Sequence, residues 1–65
     1  MIGEKIKQYL TDHGIMQKFL IEKTGIRKMR VSDICAGKCR IEVTEYYKIC
    51  KALGVPLETF LDDIE

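Results

Sequence analysis

Tryptophan is absent, proline and histidine occur once each, and no apolar run is longer than Phe19-Leu20-Ile21. Runs this short exclude a membrane-spanning helix, which needs about 20 mostly apolar residues in succession. Lys5 and Lys7 interrupt the opening segment, so no secretory leader is read there and a cytoplasmic protein is expected. The three cysteines, Cys35, Cys39 and Cys50, are an odd number, which argues against a disulfide framework and for reduced thiols. Cys35 and Cys39 are spaced C-x3-C, but the lone His13 is distant in sequence and no fourth ligand suggests itself. No metal and no cofactor are expected. There is no nucleophile paired with a base and no phosphate-cradling glycine loop. A 65-residue chain also has little room for both a core and a deep substrate cavity, so an enzyme is not expected.

What is present is enough apolar residue, 46%, to fold one domain spanning residues 1–65, and an uneven distribution of charge. The whole chain carries only +1. Residues 27–40, however, hold Arg27, Lys28, Arg30, Lys38 and Arg40 against the single acid Asp33, while residues 55–65 carry acids alone. A basic block of this kind, masked in the total by an acidic tail, points to a polyanionic partner on one face.

The periodicity is helical throughout, with no stretch that alternates as a strand does. Ile2, Ile6, Tyr9 and Leu10 share one face of a first helix that Gly14 is placed to end. A short second helix, "QKFLIEKTG", stops at Thr24-Gly25, and "IRKMRVSDICAG" forms a third with Val31, Ile34 and Cys35 inward. In "VTEYYKICKALG" the apolar positions Val43, Tyr46, Tyr47, Cys50 and Leu53 suggest the inner face of a fourth. The final "VPLETFLDDIE" reads as a fifth, with Pro56 near its start and a stripe of Leu57, Phe60, Leu61 and Ile64.

Two short helices joined by a glycine turn, the second charged opposite its apolar face, are the ingredients of a helix-turn-helix motif, here over about residues 17–36. At 100° per residue, the face opposite Val31, Ile34 and Cys35 is Met29, Ser32, Asp33 and Ala36, flanked by Lys28 and Arg30. Such a helix suits the major groove of double-stranded DNA, with flanking cations toward phosphates and central positions toward base edges. Lys38 and Arg40 follow in a loop where they reach the backbone further along.

The order and spacing of "IGEKIKQ" at the start, Gly14-Ile15 with Gln17, "EKTGI" at 22–26, Val31, Ile34, Gly37-Lys38 and "KICKALGVPLETFL" at 48–61 carry a resemblance. From Ile2 to Leu61 the chain resembles the Xre/Cro–repressor (Cro/C1-type) family of bacterial and phage helix-turn-helix transcriptional regulators. The resemblance implies an all-α, lambda-repressor-like five-helix domain that binds operators as a homodimer, with its third helix in the major groove. It places Gln17 on a phosphate at the start of the second helix, and Lys28, Met29, Asp33 and the neighbouring Ser32 toward base edges. Arg27, Arg30, Lys38 and Arg40 fall where phosphate contacts are expected. Met29 suits a thymine methyl, and Asp33 suits cytosine N4.

Departures from the family pattern are equally specific. Met16 and Arg27 stand where polar caps are common, Ile21 where alanine usually lets the motif helices approach, and Ala36 where asparagine is frequent. Leu10 and Cys35 occupy positions at which the family commonly keeps an arginine–glutamate pair, so an ion pair is exchanged for an apolar contact. Cys50 is expected in the core and Cys39 to be the exposed thiol. Two other functions stay open on the sequence. One is a protein-interaction module on the same scaffold, binding through the C-terminal helix. The other is a redox-responsive regulator acting through Cys39 or Cys35.

Overall fold

A computed structural model describes residues 2–61. In chain order these form α1 (Ile2–Asp12), α2 (Gln17–Thr24), α3 (Lys28–Cys35), α4 (Val43–Leu53) and a 3₁₀ turn (Leu57–Phe60). Among the described residues there is no strand, and no helix is long and apolar enough to cross a membrane.

The turn between α2 and α3 sets the geometry of the motif. Gly25 adopts φ 76°, a left-handed backbone that costs a residue with a Cβ about 1–2 kcal/mol, and its N–H closes α2 on the Ile21 carbonyl at 3.0 Å. Thr24 reinforces the turn from both sides. Its Oγ1 donates to the Leu20 carbonyl at 2.6 Å and accepts from the Ile26 N–H at 3.1 Å. Three residues, 25–27, therefore separate the two helices, and hydrogen bonds hold the turn between them.

α3 packs against α1 and α2, α2 also packs against α4, and the 3₁₀ turn rests on α1 and α4. Ile6 and Leu10 of α1, Leu20 of α2, Val31, Ile34 and Cys35 of α3, Ile49 and Cys50 of α4, and Phe60 are all buried. Phe60 anchors the 3₁₀ turn, meeting Tyr9 and Tyr46 edge-on at ring-centroid distances of 5.7 and 6.3 Å, while the Tyr46 hydroxyl donates to the Leu57 carbonyl. Leu10 and Cys35 lie in this same cluster, and Ile21 packs partly buried against it. At Gly3 the missing side chain lets α1 lie directly against the backbone of α3.

Two expectations require correction. Among the described residues the segment expected as a fifth helix appears as the 3₁₀ turn, where Phe60 is buried and Val55 packs partly buried against the core; Ile64 lies outside the described residues. α4 is also rotated from the face assigned to it. It buries Ile49 and Cys50 against α2 and leaves Val43 and Tyr47 on the surface, at 84% and 49% exposure.

Candidate nucleic-acid interface

Burial of Val31, Ile34 and Cys35 fixes which way α3 faces. Lys28, Met29, Ser32 and the following Ala36 are exposed, Met29 to 72%, and Asp33 is half-buried beside them. Arg27 is exposed at the start of α3, Gln17 is half-buried as the first residue of α2, and Lys38 and Arg40 are exposed in the loop between α3 and α4. Neither Met16 nor Arg27 makes a side-chain cap, so the first turns of α2 and α3 meet solvent uncapped. The N–H groups of Ala36, Gly37 and Lys38 fold back onto the carbonyls of Ser32, Ile34 and Asp33 at 2.9, 3.1 and 2.9 Å, which carries the order of α3 as far as Lys38.

Arg30 has partners within the chain. Its Nε and Nη2 donate to the two carboxylate oxygens of Glu45 at 2.6 and 2.8 Å. Nη2 also donates to the Arg40 carbonyl at 2.8 Å, and Nη1 to Cys39 Sγ at 3.1 Å. The Glu45 carboxylate in turn accepts from the Glu42 N–H at 2.9 Å, closing the first turn of α4. With side-chain exposures of 31% for Arg30 and 15% for Glu45, this bidentate pair is partly withdrawn from water. The guanidinium holds the Glu45 carboxyl below the usual glutamate range, and Glu45 raises Arg30 in return, so both stay charged at neutral pH. Sequence reasoning missed Glu45. The available signal was its position three residues after Glu42 at a helix start.

The thiols divide by burial. Cys35 and Cys50 are buried and free, and loss of hydration pushes both thiols up from their ordinary range; Cys39 is half-buried and free. Brief alkylation of the folded protein with iodoacetamide is expected to label Cys39 first and leave Cys35 and Cys50 largely unmodified, whereas denaturant exposes all three. Mass spectrometry of the digested protein reads this directly, and early label on Cys35 would contradict the core described above.

A groove of about 590 Å³ runs along the outer side of α4, lined by Ile2, Ile41, Val43, Tyr47, Leu57 and Leu61 among others. Of the apolar stripe expected at the C-terminal end, Leu57 and Leu61 line this groove, while Phe60 lies in the core. Among the described residues no three His, Cys, Asp or Glu side chains converge as a metal site would require.

Two short helices across a glycine turn, the second packed on its apolar side and bare on the other, define a helix-turn-helix module. Residues 5–65 match the profile of the Cro/C1-type helix-turn-helix DNA-binding domain, and the chain belongs to that family. It is similar to an uncharacterized transcriptional regulator in the ATPase CF(0) region of Rhodospirillum rubrum, 30% identical over 64 residues. The match covers 98% of this chain and 59% of that protein, so the chain spans somewhat more than half the relative's length. It is also similar to the replication factor C small subunit of Thermococcus kodakarensis, 45% identical over 42 residues, covering 65% of this chain and 5% of that protein. No solved structure matches significantly.

Proposed function

We propose that the chain is one helix-turn-helix domain, with its motif over about residues 17–36, and that it binds double-stranded DNA sequence-specifically as a transcriptional regulator. The observation that carries this is the bare face of α3, with Lys28, Met29 and Ser32 exposed opposite a fully buried Val31, Ile34 and Cys35, within a domain of this family. α3 enters the major groove. Met29 packs on a thymine methyl, Asp33 accepts from cytosine N4, and Lys28 and Ser32 reach neighbouring edges. Gln17, Arg27, Lys38 and Arg40 contact phosphates and release counterions, which supplies most of the affinity. One module of this size makes a small interface, so tight operator binding calls for a homodimer on half-sites about one helical turn apart.

The test is fluorescence-anisotropy titration of a random-sequence duplex across a salt series. Binding at micromolar concentration or tighter, falling steeply with salt, is the expected result. Absence of binding at low salt overturns the proposal. It would favour a protein-interaction module instead, for which the exposed apolar groove along α4 is the supporting observation.

A further inference from the structure

Arg30 was expected among the phosphate contacts, but four of the five N–H donors that a guanidinium has are engaged inside the protein: two with Glu45, one with Arg40 and one with Cys39. One donor cannot form the two-pronged contact that makes arginine an effective phosphate ligand. The same four bonds tie three segments together. Arg30 stands on α3, the Arg40 carbonyl lies in the α3–α4 loop, and Glu45 lies in the first turn of α4, where it also holds the Glu42 N–H. Backbone hydrogen bonds at the end of α3 set the loop as far as Lys38; beyond it, the bond to the Arg40 carbonyl fixes the next stretch.

We infer that Arg30 is a positioning residue of the DNA interface. Clamped by Glu45, it holds the loop so that the Arg40 side chain projects at a fixed offset from the reading face of α3, without itself touching DNA. This rests on the DNA-binding reading of the same site. Its physical content is pre-organisation: a loop already held in its binding geometry loses less conformational entropy when it meets a phosphate.

The clamp and simple electrostatics act with opposite sign on a variant of Glu45. Glu45→Gln removes a negative charge near a polyanion-binding face, which by charge count alone tightens binding, and it frees Arg30 to act as an extra phosphate ligand. The clamp gives the reverse. Measured on duplex DNA at fixed salt, Glu45→Gln is expected to weaken binding about 3- to 10-fold, the range for leaving one or two contacts to be ordered on binding. Arg40→Ala weakens the wild type but adds little in the Glu45→Gln background. Lys38→Ala keeps its full cost in both backgrounds, because the end of α3 orders Lys38 independently. Arg30→Lys retains the charge yet cannot bridge the same acceptors, so it behaves like Glu45→Gln and not like the wild type.

Thermal melts confirm that each variant is folded, and amide hydrogen exchange of residues 39–41 without DNA is expected to speed up in Glu45→Gln while α1 stays protected. Binding by Glu45→Gln as tight as or tighter than wild type, or an Arg40→Ala effect unchanged by it, overturns the clamp while leaving the DNA reading standing. A wild type that fails to bind at low salt, with exchange still faster in the variant, removes the DNA reading and with it the positioning role.

Discussion

Gly3→Ala is expected to lower the thermal midpoint by about 8–16 °C, although alanine is the better helix former by about 1 kcal/mol. A Cβ at position 3 would lie 1.9 Å from the Ile34 carbonyl oxygen and 3.0 Å from its carbon. Both are main-chain atoms within α3, so no side chain can swing aside and the helices must separate. Overpacking of this kind costs about 3 kcal/mol at its upper end, from a total of roughly 3–10 kcal/mol for a chain of this length. The local preference for alanine is therefore outweighed. Gly25→Ala makes the comparison informative. Its Cβ would meet nothing within 4 Å, so it loses only the left-handed backbone preference, about 1–2 kcal/mol. A Gly3→Ala midpoint within about 3 °C of wild type would mean that α1 and α3 do not approach as closely as described.

The second large effect is on affinity. Replacing Lys28, Lys38 and Arg40 together by alanine is expected to weaken binding to any duplex about 100- to 1,000-fold in 0.1 M salt. Each phosphate contact contributes about 0.9 to the slope of log affinity against log salt, so three lost contacts flatten that slope by about 2.7. All three side chains are exposed, and the fold should tolerate their loss. The two readouts separate this from misfolding: a variant with an unchanged melt and a flattened slope has lost charge at the interface. An unchanged slope would place the DNA contacts elsewhere on the surface.

The features legible in the sequence were those with local causes. Periodicity and glycines delimit the four helices because both act within a turn or two of the chain, and α3 showed its buried face because Val31, Ile34 and Cys35 occupy a narrow arc. In α4 the apolar residues at 43, 46, 47, 49, 50 and 53 span roughly 160° of the helix at 100° per residue. Periodicity cannot choose an edge of an arc that wide, and contact with α2 brought Ile49 inward while Val43 stayed out. The C-terminal stripe misled for the opposite reason: its spacing fits a helix, but of its described members Leu57, Phe60 and Leu61, Phe60 alone is buried in the core. Non-local pairings were not legible. Arg30 and Glu45 are fifteen residues apart, and an arginine in a basic block reads as a DNA ligand until its partner is seen. Gly3, a glycine inside a helical pattern, was a signal of close packing that periodicity alone passes over.

The interior contains Leu10 and Cys35 in one cluster and no buried charged or polar side chain among the described residues. Dissolved ions have no core charge to screen, whereas the proposed grip on phosphates is an exchange of ions from beginning to end. The ionic strength of the surroundings therefore acts mainly on binding, the partly exposed Arg30–Glu45 pair being the part of the fold it reaches. Raising it is expected to release the DNA without unfolding the protein, and lowering it to restore binding by the same folded population. Occupancy then follows the medium within the time of binding and release, with no refolding step between.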